Sequence, residues 1–87
     1  MNEVHIASFV AFALPEAADG VERAIASSGI AEVARRDGRG RLVVLVEASS
    51  AARVLDAMDA IRALDGVLAV HLAYQHAEPE SDMQESP

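Results

Sequence analysis

The segment "IAEVARRDGRGRLVVLVEA", residues 30–48, contains two apolar runs on either side of a glycine-containing turn, near the middle of an 87-residue chain. Asp37-Gly38 and Gly40 are residue types that provide the positive φ angles of tight chain reversals. The second run, "LVVLV", is rich in β-branched residues, which favour strands. The segment therefore predicts a β-hairpin, and the remainder of the chain is interpreted outward from it.

A helix is predicted before the hairpin. Pro15 favours the first turn of a helix, and Gly29 favours its C-terminal end. Between them, small and apolar residues recur at helical spacing, at Ala17 or Ala18, Val21, Ile25 and Ser28. This pattern predicts a helix with one face packed against the sheet.

A second helix is predicted after the hairpin. Ser49 or Ser50 is suited to cap its N-terminus, and Asp65-Gly66 ends it. Its apolar stripe consists of Val54 or Leu55, Met58, Ile61 and Leu64. One predicted helix thus precedes the hairpin in the sequence and the other follows it.

The outer segments read as strands. Residues 4–12, "VHIASFVAF", and residues 66–76, "GVLAVHLAYQH", are rich in β-branched, aromatic and other apolar residues. The predicted order is β-α-β-β-α-β. Two right-handed crossovers that share one sheet give an α+β sandwich: a four-stranded antiparallel sheet in the order 4-1-3-2, with both helices on one face.

Composition limits the classes of function. The chain has no cysteine, which excludes disulfides, thiolate metal sites and thiol nucleophiles. Its apolar runs are far shorter than the ~20 residues of a membrane span, so we expect no membrane insertion and a cytoplasmic protein. The chain contains seven arginines, no lysine and fourteen acidic residues, and its net charge of -7 disfavours nucleic acid as a partner.

The C-terminal segment differs from the body of the chain. Residues 77–87, "AEPESDMQESP", are polar, acidic and without periodicity. Such a composition does not repay the entropy lost on ordering. We therefore expect one domain over residues 1–76 and a disordered acidic tail over residues 77–87.

The uncovered face of the sheet is predicted from strand alternation. In the second hairpin strand the ionised Glu47 avoids the core, which places Val43 and Leu45 on its side of the sheet. In each outer strand the larger set of side chains is assigned to the helices: Ile6, Ser8, Val10 and Phe12 in the first, and Leu68, Val70, Leu72 and Tyr74 in the last.

The predicted site is the set left on the uncovered face. It consists of Ala7, Phe9, Ala11, Val43, Leu45, Glu47, Val67, Ala69 and His71. This surface is apolar with a shallow floor of small residues, and an apolar patch of more than a few hundred Å² generally marks an interface. The interpretation is a binding surface for an apolar, cationic partner.

The chain resembles the NapD family, cytoplasmic chaperones of the catalytic subunit of periplasmic nitrate reductase. The resemblance covers residues 6–76 and rests on "SFV", on "EVARRD" followed by "GRLVVLVE", and above all on "LDGVLAVHLAYQH". An acidic tail after the last segment also fits the family.

The resemblance implies a ferredoxin-like fold and a protein without enzymatic activity or cofactor. It implies binding of the twin-arginine (Tat) signal peptide of the nitrate reductase precursor, NapA, in helical form on the sheet surface. Binding would delay export until the molybdenum cofactor has been inserted. Phe9 is the one aromatic residue in the predicted groove. The expected oligomeric state is a monomer or weak dimer.

Other functions have weaker support in the sequence. His5 and His71 face each other if the outer strands are antiparallel, but two histidines lack the three or four ligands of a zinc site. Four arginines lie near the hairpin turn: Arg35, Arg36, Arg39 and Arg41. They suggest RNA binding. The alternative is a solvated turn whose arginines balance nearby acidic residues. No arrangement typical of a nucleophile or a phosphate-binding loop is present.

The main alternative belongs to a different functional class. A small regulatory or assembly module of the same fold dimerises through its sheet and binds a small ligand at the seam. Such modules usually accompany another domain, whereas this chain predicts a single domain.

Overall fold

The computed structural model describes residues 3–79, and the chain within them alternates strands and helices as predicted. The elements are β1 (Glu3–Ala13), α1 (Ala18–Ser28), β2 (Glu32–Arg36), β3 (Arg41–Ala48), α2 (Ala51–Arg62) and β4 (Val67–Pro79). A 3-10 helix, Pro15–Ala17, leads directly into α1. Proline at its first position fits because that residue needs no N–H partner and has a helical φ.

The four strands form one antiparallel sheet in the order β2-β3-β1-β4. This is the predicted order 4-1-3-2 written from the opposite edge, so the predicted ferredoxin-like β-α-β-β-α-β fold is confirmed. The central strands are β1 and β3, whose register pairs Phe9 with Val44 and Ala11 with Leu42. Both helices lie on one face, because buried residues of α1 and α2 share one core cluster with one side of β1 and β3.

Two helix ends follow the predicted signals, whereas α2 ends at Arg62, before the predicted end at Asp65-Gly66. Ser50 caps α2, and its hydroxyl accepts a hydrogen bond from the Arg53 N–H at 3.2 Å. Gly29 ends α1 with a φ of 74°. The buried residues of α1 are Ala18, Val21 and Ile25, and those of α2 are Val54, Ala57 and Ile61.

The hairpin turn is built differently from the prediction. Gly40 has the required positive φ, at 92°, whereas neither Asp37 nor Gly38 does. The Asp37 carboxylate instead accepts hydrogen bonds from the N–H groups of Arg39 and Arg41, at 2.9 and 3.0 Å. A side-chain acceptor can replace a left-handed residue in organising a turn, because it satisfies the amides that the reversal leaves free.

The core reverses the predicted faces of β1. Ala7, Phe9 and Ala11 are fully buried beneath the helices, and Ala13 is nearly so. The prediction that put them on the uncovered face is wrong because it assigned the larger side chains to the core. Opposite them on β3 stand Leu42, Val44 and Val46, which are also buried. Large β3 residues beside small β1 residues fill the layer while letting the helices come close.

Irregular pairing alters the prediction for β4. The register with β1 shifts at two places and leaves Leu68 and Ala73 without a partner. An extra residue changes the face on which the following side chains lie. Val67 therefore pairs with Ala13 and packs against the core instead of lying on the uncovered face, and Tyr74 moves from the core side to the uncovered face. Val70 is buried as predicted.

The end of β4 overlaps the predicted tail. Ala77, Glu78 and Pro79 pair with His5, Val4 and Glu3 of β1, so the sheet continues three residues beyond the expected domain boundary. The remaining residues of the predicted tail, 80–87, lie outside the described residues.

Candidate functional site

The sheet face without helices is here called the open face, and its residues follow from the alternation of each strand. From β1 it contains Val4, Ile6, Ser8, Val10 and Phe12; from β2, Glu32 and Arg35; from β3, Arg41, Val43, Leu45 and Glu47; and from β4, Ala69, His71, Tyr74, His76 and Glu78. The β1 residues are only partly buried, since no other element of residues 3–79 packs over them.

The centre of the open face is apolar. Val10 pairs with Val43, and Ser8 pairs with Leu45, so the two central strands present adjoining side chains. Partners in an antiparallel ladder point to the same side of the sheet. Leu45 is 37% exposed, although it stands on a central strand. A protein normally covers such a surface, so the centre of this face is a candidate contact area.

Two shallow concavities lie along the apolar centre of the open face, which is here called the apolar strip. One, of about 430 Å³, is lined by Ile6, Leu45 and the two glutamates Glu32 and Glu47, together with residues of the loop that follows α1. The other, of about 340 Å³, is lined by Val10 and Val43 and by residues of the hairpin turn with its arginines. Both are open depressions that suit an elongated guest better than a small enclosed ligand.

The hairpin arginines do not form one cationic cluster. Arg36 lies on the helix side, where its Nη1 is 2.6 Å from an Asp19 oxygen and 2.8 Å from a Glu22 oxygen of α1. The hydrogen bond to Glu22, and then that to Asp19, raises the pKa of the guanidinium above its ordinary value. Such pairing matches the expectation of arginines balanced by nearby acids and leaves Arg35 and Arg41 on the open face.

Asp37 partly offsets the charge of Arg41. Its carboxylate accepts a hydrogen bond from Arg41 Nε at 2.7 Å, in addition to the two backbone N–H groups. The Arg41 N–H, the Arg41 side chain and then the Arg39 N–H lower the pKa of Asp37 from 3.8 to about 2. All of these donors favour the ionised form, so the turn holds a fixed negative charge beside its arginine.

The β4 side of the open face carries aromatic rings. Phe12 and His71 meet edge to face, with centroids 5.6 Å apart, and Tyr74 lies 5.1 Å from the His76 ring. His76 Nε2 is 3.5 Å from a Glu78 oxygen. Tyr74 is 57% exposed, so this edge offers ring surface to a partner.

Five of the nine predicted site residues lie together on the open face. These are Val43, Leu45, Glu47, Ala69 and His71. The other four, Ala7, Phe9, Ala11 and Val67, lie on the helix side. The predicted shallow floor of alanines is therefore replaced by a bulkier surface.

The sequence prediction missed Ile6, Val10, Phe12 and Tyr74 as surface residues. A signal for the first three is present in β1: Ser8 is a polar residue in the middle of a central strand, and it shares their parity. A polar residue at that position indicates the wetter face. No comparable signal identifies Tyr74, because its placement depends on the extra residue in β4.

The histidines do not come together as a metal site. His5 pairs with Ala77, while His71 pairs with Val10, so the two do not face each other across the sheet. Within residues 3–79 no group of three or more His, Cys, Asp or Glu side chains is arranged to hold a metal ion.

Neither helix of the described chain is long and apolar enough to cross a membrane.

Comparison with known proteins gives two related findings. The family model described as NapD protein matches residues 4–79. Among solved structures, the chain is similar to the solution structure of the E. coli Tat proofreading chaperone protein NapD, with a TM-score of 0.74 and 30% sequence identity, over 97% of this chain and 87% of that chain. A search of curated proteins found no match.

Proposed function

This chain belongs to the NapD family, and we propose that it is a cytoplasmic chaperone that binds the Tat signal peptide of the NapA precursor on its open face. Family membership and likeness to a proofreading chaperone support a chaperone role. The proposal adds the ligand, the surface and the consequence: a bound signal peptide is withheld from the export machinery until the enzyme has received its cofactor.

The observation that carries the proposal is an apolar strip on a sheet face that neither α1 nor α2 covers within residues 3–79. Ile6, Val10 and Val43 line it from the two central strands. Apolar surface of this kind is stabilised by burial at about 25 cal/mol per Å². A signal peptide supplies a matching apolar stretch, and each surface shields the other from water.

The charge of the chain supports a cationic ligand. The net charge is -7, and Glu32 and Glu47 line the concavity beside Ile6 and Leu45. A signal peptide that carries two arginines before its apolar stretch matches an apolar surface next to carboxylates. Charge complementarity of this kind contributes mainly to specificity and to the rate of association.

The proposed role is binding, without chemistry carried out by this chain. The ligand is held by surface burial and charge, and release follows when a competing partner or the folded enzyme takes the peptide. The residues proposed to contact it are Ile6, Val10, Phe12, Val43, Leu45, Glu47, Ala69, His71 and Tyr74.

An NMR titration with a synthetic twin-arginine signal peptide tests the proposal directly. Methyl signals of Ile6, Val10, Val43 and Leu45 are expected to shift, because they lie under the peptide. Methyl signals of Leu55, an exposed leucine of α2, serve as the internal control and are expected to stay in place. Shifts confined to the helices, or no binding, contradict the proposal.

Two alanine variants give a matched test of the surface. Phe12→Ala removes a large side chain from the open face, and its peptide affinity is expected to fall by roughly 1–3 kcal/mol, the usual cost of losing an aromatic anchor. Leu55→Ala removes an exposed apolar side chain from the helix side and is expected to bind as wild type. Equal affinity of wild type and Phe12→Ala places the peptide elsewhere.

Analytical ultracentrifugation separates the alternative, a module that dimerises through its sheet. Under the proposal the chain is a monomer or weak dimer, and peptide binding does not require a second copy. A stable dimer whose sheet faces are closed to the peptide supports the regulatory module instead.

A further inference from the structure

The charges of the open face change sign along the strands. Arg41 and Arg35 lie in the half that adjoins the hairpin turn, where they pair with Phe12 and Val43 respectively. Glu32 pairs with Leu45, which is the next open-face position along β3, and Glu47 stands at the far end of that strand.

A third carboxylate extends the acidic half. Glu78 of β4 pairs with Val4, next to the position at which His76 pairs with Ile6. Among the described residues of the face, two arginines therefore occupy one end and three glutamates the other. The acidic end is the stronger of the two, because Asp37 lies 2.7 Å from Arg41 Nε and offsets part of its charge.

The length of this polar arrangement fits a short helix. Arg41 and Glu47 are the ends of the open-face positions on β3, about 20 Å apart at the usual rise of a strand. A helix of about 13 residues has the same length. The backbone N–H and C=O groups of both central strands are already paired within the sheet, so this face contacts a guest through side chains alone. An apolar guest must therefore satisfy its own backbone groups, as a helix does.

We propose that the charge gradient fixes the direction of the bound peptide, an inference that rests on the proposed function. The arginine-bearing N-terminal end of the peptide lies at Glu47, and its apolar helix runs toward Arg41. Two electrostatic effects favour the same direction. The peptide arginines meet carboxylates, and the partial negative charge at the C-terminal end of the guest helix meets arginines.

The reverse direction brings like charges together at both ends. Peptide arginines would stand beside Arg35 and Arg41, and the helix C-terminus would stand beside Glu32 and Glu47. The apolar contacts do not discriminate strongly, because Ile6 and Leu45 in the acidic half are matched by Val10 and Val43 in the basic half. Direction is therefore decided by charge.

Paramagnetic labelling of the peptide tests the direction. The chain has no cysteine, so a nitroxide on a single cysteine of a synthetic twin-arginine peptide is the only label in the complex. A label before the arginines is expected to broaden the Ile6 methyls more than those of Val10 and Val43. A label after the apolar stretch is expected to do the opposite, and a diamagnetic label provides the control.

Failure of the direction and failure of the proposed function give different results. An unlabelled peptide that does not shift open-face methyls contradicts the proposed function. A peptide that shifts them but shows the reversed broadening pattern, or equal broadening from both labels, contradicts the direction alone.

A charge-swapped variant provides the second measurement. Glu32→Arg, Glu47→Arg and Arg35→Glu together invert the gradient on exposed positions, and circular dichroism verifies that the variant folds. The inference predicts that this variant binds the peptide in the reverse direction, because the peptide arginines then meet the carboxylate at position 35. A label before the arginines is therefore expected to broaden the methyls of Val10 and Val43 more than those of Ile6. The matched neutral variant, with glutamine at the same three positions, is expected to show a smaller difference between the two labels. An unchanged broadening pattern in the swapped variant overturns the inference.

Discussion

The two faces of β1 carry similar side chains but have different surroundings. Ala7, Phe9 and Ala11 lie on the helix side and are fully buried, whereas Ile6, Val10 and Phe12 lie on the open face and remain partly exposed. The open-face set is the larger in volume. Apolar size therefore does not identify the core of this sheet; what identifies it is the presence of helices above one side.

The small residues on the helix side have a structural purpose. Alanines in the central strand leave room for the helices, and Phe9 shares one buried cluster with Ile25 of α1 and Ile61 of α2. Large residues on the open face, in contrast, are available to a partner. The difference teaches that a strand can be apolar on both sides for two separate reasons, folding on one side and binding on the other.

The largest expected effect comes from exchanging the two phenylalanines of β1 for alanine, one at a time. Phe9→Ala leaves a cavity in the core and is expected to reduce the free energy of unfolding by about 3–5 kcal/mol. Phe12→Ala removes a partly exposed ring and is expected to cost less than half as much. Chemical denaturation of both variants measures the difference; equal losses would mean that the two faces are not distinct.

Enlarging an alanine is expected to cost more stability on the helix side than on the open face, because only the open-face alanine has space above it. Ala11→Val is expected to destabilise the chain by about 1–3 kcal/mol, because Ala11 is fully buried beneath the helices. Ala69→Val, on the open face, is expected to change stability by about 0.5 kcal/mol or less. Thermal melts of the two variants give the comparison, and a tolerated Ala11→Val contradicts the close packing described here.

Removal of one open-face charge is expected to affect the ligand more than the fold. Glu47→Gln keeps the shape of the side chain, and peptide affinity is expected to fall by roughly 1 kcal/mol, with weaker dependence on salt. Glu16→Gln, an exposed carboxylate at the start of the helical segment, is the matched control. If both variants bind alike, Glu47 does not contact the peptide; a double-mutant cycle with the peptide arginines then gives a coupling energy near zero.

The smallest expected effect concerns the turn between β2 and β3, at the basic end of the open face. Asp37 has a pKa of about 2 in the folded chain, below its ordinary 3.8. Its contribution to stability is therefore present above about pH 4 and is lost as the pH falls toward 2. Asp37→Asn is expected to lack this contribution.

The measurement for Asp37 is the difference in melting temperature between wild type and variant as a function of pH. The difference is expected to be constant from neutral pH to about pH 4 and to shrink between pH 4 and pH 2. Asp56→Asn, an exposed residue of α2, controls for the loss of a surface carboxylate. A difference that does not change below pH 4 shows that the Asp37 hydrogen bonds do not stabilise the fold.

The sequence by itself determined the order of elements, the sheet order and most element ends. The turn around Gly40, the caps at Ser50 and Gly29 and the helical spacing in α1 and α2 are local signals, and each acts over a few residues. The handedness of crossovers then leaves a single arrangement of four strands. Glu47 also fixed the faces of β3, because an ionised carboxylate avoids a core.

Only the tertiary structure decided which side of β1 faces the helices and where β4 changes face. Both sides of β1 are mainly apolar, and Ser8 alone does not outweigh the large side chains that share its parity, so alternation leaves two solutions. Packing against Leu42, Val44 and Val46 selects the one with alanines inside. The two unpaired residues of β4 result from its pairing with β1, and the hydrophobic pattern of the sequence does not indicate where they occur. Residues distant in sequence thus placed Phe12 and Tyr74 on the open face, because a strand's environment is set by its neighbours.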